Sequence, residues 1–546
     1  MIEKKELKRN VKESFMKSVL VLMISQVLIK LLGLVYRIYL TNREGFGDEG
    51  NAIYSGGYQI YALLLTVSSI GVPNAISKLV SEKVAIGDHK SANRIFKIAI
   101  ATFAVIGLIG TLVLFLGAGY ISRVILQIPE AELTLVALSP AIFFVTISSV
   151  IRGYFNGRQK MSVTAKSQTL EQVFKTLLTI VVVELVAIIF NISTSFMAAG
   201  ANLATTLSVL LSFSYLALYY KKDKKEIASE IKETINYKKE PIIKIVKKIL
   251  FVSFPITLSA IMSTLNKNID SFTVIRGLKS FLPEAASKIQ YGILSGKVDT
   301  LITLPLSFNI AFATALVPSV SSSIAQGDEK TASKRISFSI LITILIGLPC
   351  TFGMIIFSQQ ILNLLFPNAS SGNILLELSA ITIIFAVLAQ TVNGALQGLG
   401  KIMIPAISSL IGLIAKLILN IILIPIPSIG VNGAAIASII NNILAFGISF
   451  YILNKSIKLN LNFVKCIIKP IIATIIMCIC SYFTFLILNG IIREKIATMF
   501  SLLIAVVVYA LAIIALKTLE KEEICMIPYG NKMVKILEKM GIYGKQ

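Results

Sequence analysis

The sequence predicts an all-α polytopic membrane protein of about 14 transmembrane helices, built as two pseudo-symmetric six-helix lobes plus a C-terminal helix pair. Three observations predict it. Of 546 residues, 55% are apolar and only 15% are charged, with a mean hydropathy of +0.82; a soluble domain carries about a quarter of its residues as charges. Apolar runs of about 20 residues recur from end to end, each long enough to cross a ~30 Å hydrocarbon core. Two loop motifs also recur at nearly one spacing.

The elements follow in order. A charged N-terminus, residues 1–14, precedes the first span and offers no small-residue cleavage site, so no removable signal peptide is expected. Spans fall near residues 15–40, 52–81, 95–117, 133–151, 167–190 and 196–220, which form an N-lobe over 15–220. A basic linker, 221–248, leads to spans near 249–275, 299–325, 336–360, 373–393, 404–425 and 430–453, the C-lobe over 249–453. Spans near 467–488 and 497–516 complete the appended pair over 467–516, and 517–546 is a tail. An even count puts both termini on one side. That side holds roughly 36 Lys/Arg against about 8 in the opposite loops, which assigns it to the cytoplasm.

The net charge of +24 is therefore a positive-inside signal with attraction to membrane lipids, and no nucleic-acid partner is expected. The lone His89 offers no histidine pair for a metal and little acid–base chemistry. Cys350, Cys466, Cys478, Cys480 and Cys525 lack zinc spacing and read as buried thiols. No Asp-x-Asp pair occurs, and Gly394–Lys401 lacks the glycine spacing and the hydroxyl residue of a phosphate loop, with Ile402 in its place. No enzyme, metal or cofactor is expected.

The repeat is carried by loops. Gly153-Tyr154-Phe155-Asn156-Gly157 through Lys160 matches Gly394-Ala395-Leu396-Gln397-Gly398 through Lys401 at an offset of 241. Gly87-Asp88-His89-Lys90 with Ala92 matches Gly327-Asp328-Glu329-Lys330 with Ala332 at an offset of 240, each after a Val-Pro pair, Val72-Pro73 and Val317-Pro318. Six spans per repeat preserve orientation, so the repeats are parallel about an axis along the membrane normal. Such lobes suit alternating access. Pro73 and Pro318 are expected at corresponding places as hinges, alongside Pro140, Pro255, Pro305 and Pro405 within other spans, with Gly87, Asp88, Gly327 and Asp328 at the gate.

Charges inside the spans carry the chemistry. Lys30, Arg37, Lys78, Glu171, Lys175, Glu184, Lys267, Asp270, Asp299, Glu377 and Lys416 all fall there, and each costs about 2.5–3.5 kcal/mol at mid-membrane even on the mildest scale. They must pair or face a hydrated cavity. Glu171 and Lys175, at i,i+4 with the acid first, are spaced for an intrahelical ion pair, and Lys267 with Asp270 at i,i+3 likewise. Lys30 and Arg37, seven apart, share one helical face with no acid on their span. Two stacked cations, one of them a guanidinium fork, invite an anionic, phosphate-bearing ligand.

These residues come with longer motifs: FMKSVLVLMISQVLIKLLGLVYRIYL at the first span, GNAIYSGGYQIYALLLTVSSIGVPNAISKLVSE at the second, RGYFNGRQKM after the fourth and LNKNIDSFTVIRGL in the seventh. Through them, residues 15–516 resemble the MurJ/SpoVB-type flippases of the multidrug/oligosaccharidyl-lipid/polysaccharide exporter superfamily. The resemblance implies export of an undecaprenyl-pyrophosphate-linked sugar, the peptidoglycan precursor lipid II foremost, by a monomer with a cationic central cavity. Fitting residues here are Lys30, Arg37, Lys267, Asp270, Arg276 and Asp299, with Lys78 as the only basic residue of the second span, where the family carries a mid-span arginine. No acid occurs between Glu377 and Glu494, so a family cation site on the eleventh or twelfth span does not carry over. Asp270 with Lys416, or the membrane potential, becomes the expected coupling device. Rival readings are a flippase for teichoic acid, capsule or spore-cortex precursors, and a cation/drug antiporter with an acid-dominated cavity.

Overall fold

The computed structural model describes residues 28–66, 71–232, 234, 240–459, 461–525, 534 and 538. The expected N-terminal segment 1–14, the start of the first span and most of the tail lie outside the described residues. Among the described residues every regular element is helical. In chain order they are α1 (28–42), α2 (Gly47–Leu65), α3 (Gly71–Ala85), α4 (His89–Tyr120), α5 (Glu132–Gly157), α6 (Met161–Ile189), α7 (Thr194–Lys232), α8 (Ile242–Leu278) and α9 (Glu284–Gly292). There follow α10 (Asp299–Ala325), α11 (Glu329–Ile356), α12 (Ser358–Leu365), α13 (Asn373–Gly398), α14 (Met403–Leu423), α15 (Asn432–Ser456), α16 (Lys469–Asn489), α17 (Glu494–Ala515) and α18 (Lys521–Cys525).

Eleven helices among the described residues are long and apolar enough to cross a membrane. They match the expected spans other than the first, second and seventh. The first two run partly outside the described residues, and the seventh lies on the 37-residue α8. The surface explains the composition. α17 exposes Met499, Phe500, Leu503, Val506, Val507 and Leu511, an arrangement stable in hydrocarbon and not in water. Helix interfaces instead bury small polar residues such as Ser167, Thr206, Ser208 and Ser212, whose hydroxyls bond within the bundle and let backbones approach.

The chain divides into two compact units, residues 1–301 with 417–434, and 302–416 with 435–546. In the first, α4, α5 and α3 enclose a core of Val80, Phe96, Val150 and Phe155. The helices α8 and α9 pack on α2 and α3 in this same unit. In the second, α10, α11, α13 and α15 enclose Val320, Ile336, Val392 and Leu453, and α16 pairs with α17 through Ala473, Met477 and Ala505.

Each unit carries its own copy of the repeated turns. Gly87 and Gly327 both adopt φ +74, a left-handed value open to glycine at little cost. Asp88 then accepts from the Ser91 backbone N–H at 2.9 Å, and Asp328 from that of Thr331 at 3.0 Å, capping α4 and α11. Likewise Lys160 donates its backbone N–H to Phe155 O at 2.9 Å, as Lys401 does to Leu396 O at 2.9 Å.

The register of the copies corrects one expectation. Gly153 and Gly157 of α5 pack on Pro73, Ile76, Ser77 and Val80 of α3, whereas Gly394 and Gly398 of α13 pack on Ala313, Val317 and Val320 of α10. Pro73 thus answers to Ala313, and Pro318 to Lys78. The two Val-Pro pairs match by identity but stand at unequal distances from their turns, about one and a half helical turns out of register. Pro73 lies on α3, while Pro305 and Pro318 lie inside a continuous α10.

Candidate functional site

The membrane-depth cations of the first unit gather around α1, α2, α6 and α8. Lys30 is exposed on α1 and lies within electrostatic range of Lys267 on α8 and Lys175 on α6. Seven residues further along α1, Arg37 is 8% exposed. Its Nη1 donates to Asn51 Oδ1 and its Nη2 to Ser55 Oγ, both at 3.1 Å, and its guanidinium stands 4.3 Å from the Tyr54 ring centroid. All three partners are on α2 and none is charged. Asn51 is itself fixed, donating Nδ2 to Thr41 Oγ1 at 2.9 Å, while Gly296 leaves no room for a Cβ, which would stand 2.4 Å from Asn51 Cγ.

Lys175 overturns the expected pairing with Glu171. Glu171 instead accepts from Arg152 Nη2 at 2.7 Å, with Ser167 and Ser212 completing the guanidinium's contacts. The Lys175 ammonium lies over two tyrosine rings, 4.4 Å from the Tyr58 centroid and 5.2 Å from that of Tyr36. Tyr54 and Tyr58 stack at 5.8 Å, and Tyr58 meets Tyr61 at 5.7 Å. A ladder of aromatic faces therefore runs along α2, with Arg37 over Tyr54 and Lys175 over Tyr58, an arrangement worth roughly 0.5–2 kcal/mol per contact. A multi-partner arginine outcompetes a lysine for the carboxylate because its fork makes several bonds at once.

The Lys267–Asp270 pair is likewise not formed. Asp270 accepts from Asn420 Nδ2 at 3.0 Å, and Asn420 also donates to Thr273 Oγ1 at 2.8 Å; at i,i+3 the carboxylate turns toward α14. Lys267 is half-buried. Among the described residues, no carboxylate lies within ion-pair distance of Lys30, Arg37, Lys175 or Lys267. The nearby acids are engaged by other donors: Glu184 by Arg43 at 2.8 Å and by Tyr39, Glu171 by Arg152, and Asp48 by Lys297 at 2.9 Å. Four cations with committed acids around them leave positive charge that no described carboxylate neutralises.

The other expected residues sit elsewhere. Lys78 is exposed on α3 and does not figure among the charges acting on Lys30. Arg276 is exposed and donates Nη2 to the Val124 carbonyl at 3.2 Å. Asp299 is half-buried at the start of α10 and, with Asp270, lies in range of Tyr291. Lys416 is buried on α14. Gly87, Gly327 and Asp328 are exposed at their turns, and Asp88 is buried at its own.

Sequence reasoning missed Lys175 as a member of the cluster, the tyrosine ladder, and the buried pair Asp48–Lys297. The ladder had a signal, since Tyr54, Tyr58 and Tyr61 recur at i, i+4 and i+7 on one face. The buried pair had none, because its partners lie 249 residues apart.

With this geometry in hand, comparison with known proteins is informative. The polysaccharide biosynthesis protein model matches residues 15–324, more than half of the chain. The chain belongs to that family. A MatE model matches residues 296–422 of this family member. Among its relatives are Stage V sporulation protein B of Bacillus subtilis (strain 168), 28% identical over 439 residues, covering 79% of this chain and 82% of the relative. Lipid II flippase MurJ of the same organism is 26% identical over 454 residues, covering 80% and 81%. A solved structure of lipid II flippase MurJ in an inward closed conformation superposes with TM-score 0.65 at 16% identity, covering 90% of this chain and 98% of the other. An inward-facing MATE family multidrug transporter of the MOP superfamily reaches 0.64 at 15% identity. The fold is that of MurJ and the MATE transporters, and one of the two relatives is named a lipid II flippase.

Proposed function

We propose that this protein is a flippase that moves an undecaprenyl-pyrophosphate-linked saccharide, lipid II, from the inner to the outer leaflet by alternating access. The observation that carries this reading is the group of four membrane-depth cations, Lys30, Arg37, Lys175 and Lys267, with no carboxylate in ion-pair range among the described residues. A diphosphate brings the missing negative charge. Lys30, exposed, makes first contact together with Lys267. Arg37, oriented by Asn51 and Ser55, retains guanidinium N–H donors beyond those two bonds for a phosphate oxygen. Lys175 adds positive potential from within its aromatic cage.

The polyprenyl tail stays in lipid throughout, and partial neutralisation of the site lets the protein change state. The turns at Gly87–Asp88 and Gly327–Asp328 serve as the cytoplasmic gate, and Pro73 and Pro318 as unpaired hinges. The driving force is the membrane potential, worth about 2.3 kcal/mol per charge per 100 mV. The protein acts as a monomer in the bacterial cytoplasmic membrane with both termini inside, as its basic loops indicate.

A cation antiporter fits poorly, since its cargo would meet four positive charges. A spore-cortex sugar lipid is the reading nearest to lipid II, favoured by the similarity to Stage V sporulation protein B. The test is complementation of a lipid II flippase depletion strain by the parent, Lys30→Ala, Arg37→Ala and their double variant, at matched protein levels. Rescue by the parent and loss in the double variant is expected. Unimpaired rescue by the double variant would remove the proposed role of the pair, and failure of the parent would exclude lipid II as cargo.

A further inference from the structure

The repeat makes a comparison possible that a single bundle would not allow. At an offset of 240, Lys90 and Arg94 at the start of α4 correspond to Lys330 and Lys334 at the start of α11. In the first unit this ground is covered. The helix α7 runs 39 residues to Lys232, carrying Asp223, Glu226 and Glu230 past the expected end of its span at residue 220. Arg158 bonds Asp223 at 2.6 Å and Glu230 at 2.8 Å, Lys160 bonds Glu226 at 2.9 Å, and His89 Nδ1 lies 3.6 Å from Glu230. The Lys90 backbone N–H donates to Thr234 Oγ1 at 3.2 Å. The cavity left beside Arg94 is about 40 Å³ and shares its lining with Glu82 and Glu240.

In the second unit no such covering occurs among the described residues. The helix α15, counterpart of α7, stops at Ser456, and an open cavity of about 970 Å³ lies between the start of α11, the end of α15 and the 464–468 turn leading into α16. Its cations are Lys330, Lys334, Lys455, Lys458 and Lys465. Two of its three glutamates are committed: Lys465 Nζ holds Glu520 Oε1 at 2.7 Å and Glu523 Oε1 at 2.8 Å. Lys330, Lys455 and Lys458 are exposed and carry no ion pair among the described residues. Ser337, on the cavity wall, has a buried hydroxyl with no hydrogen-bond partner among the described residues. Deeper along α11 the wall turns apolar through Phe338 and Leu341.

We propose that this cavity is a binding site, separate from the α1–α2–α6–α8 cluster, for a phosphate-bearing anion, and that its occupant is the headgroup of an anionic phospholipid. Lysines at the ends of three candidate spans stand at headgroup depth, where each adds about fivefold to the affinity for an anionic lipid surface. The graded wall, charged at the rim and apolar toward the hydrocarbon, suits a molecule with a phosphate and acyl chains. A soluble phosphate compound offers the same anionic chemistry without the chains.

The experiment titrates the full-length protein in detergent micelles with dioleoyl-phosphatidylglycerol, dioleoyl-phosphatidylcholine or sodium pyrophosphate, read by native mass spectrometry. The test protein is Lys330→Ala/Lys455→Ala/Lys458→Ala, and the charge-matched control is Lys221→Ala/Lys222→Ala/Lys224→Ala. The single variant Lys458→Glu is measured in parallel, so that the result does not hang on one multiply substituted protein. We expect phosphatidylglycerol binding to weaken at least about tenfold in the test protein, with the control unchanged. Loss of one pyrophosphate equivalent with phosphatidylglycerol binding unchanged would overturn the phospholipid assignment and leave a site for a soluble phosphate compound. Equal binding of both probes by the parent, the test protein and Lys458→Glu would overturn the proposal.

Discussion

Lys175 and Lys297 show how the same residue type is held in a bundle by two different devices. Lys175 is held against the faces of Tyr36 and Tyr58. Lys297, fully buried, is held by both oxygens of Asp48 at 2.9 Å. The devices respond differently to substitution. Tyr58→Phe keeps the ring face, so complementation should match the parent, whereas Tyr58→Leu removes it and should lower flipping severalfold at unchanged expression. For the buried pair, Asp48→Leu alone strands an ammonium and should cost about 3–5 kcal/mol, while Asp48→Leu/Lys297→Met should recover most of it. Thermal unfolding in detergent, compared across the double-mutant cycle, checks this. Equal losses in the single and double variants would mean that the pair is not what the site depends on.

At the scale of elements, glycines divide into two kinds that the sequence does not distinguish. Gly292 lets α9 lie against α2, and a Cβ there would stand 1.8 Å from the Asp48 carbonyl oxygen, a backbone atom that cannot yield. Gly87 has a left-handed φ but open space around it. We therefore expect Gly292→Ala to destabilise strongly and to disturb the neighbouring Asp48–Lys297 pair. Gly87→Ala should cost only about 1–2 kcal/mol of backbone strain. Thermal stability of the two variants, measured side by side, separates the cases.

The junction of α3 and α8 carries a pH-dependent tie of its own. Glu240 is held below the usual glutamate range, first by its hydrogen bond from Lys248 and then by the charges of Lys248 and Lys83. A depressed carboxylate stabilises the fold fully above its unfolded pKa, and that contribution fades as pH falls through the lower folded value. Hydrogen exchange at the α8 amides near 242–246 should thus quicken, relative to its intrinsic rate, only below about pH 4.5. A Glu240→Gln variant should show the quicker exchange already at neutral pH.

For the whole molecule, the duplicated turns dictate a shared topology. With α8 counted as a sixth span between them, Lys90 and Lys330 are predicted to lie on one side of the membrane. In a background lacking the five native cysteines, Lys90→Cys and Lys330→Cys should both label with an impermeant maleimide only after the cell membrane is permeabilised. Opposite labelling of the two positions would break the parallel-repeat reading. The same duplication reveals where the halves have diverged: in one unit the long α7 brings Asp223, Glu226 and Glu230 over ground that a lysine-lined cavity leaves open in the other.

Much of this was legible in the chain itself. Span positions, the repeat and the cationic face of α1 follow from hydropathy, offset and helical period, all of them local or periodic properties. Pairing was not. Glu171 and Lys175 satisfy every sequence rule for an ion pair, yet Arg152, on the preceding helix, takes the carboxylate. The Val-Pro pairs matched by identity, yet the glycine contacts fix a different register.

By itself, the sequence determined that the protein lives in a bilayer and that its charges there need a reason, because transfer of a side chain between water and hydrocarbon depends on that side chain alone. Only the tertiary structure decided which cation meets a carboxylate, which meets a tyrosine face and which is left without an acid. Those choices depend on which side chains arrive within a few ångströms of one another, and that is a property of helix packing rather than of any stretch of chain.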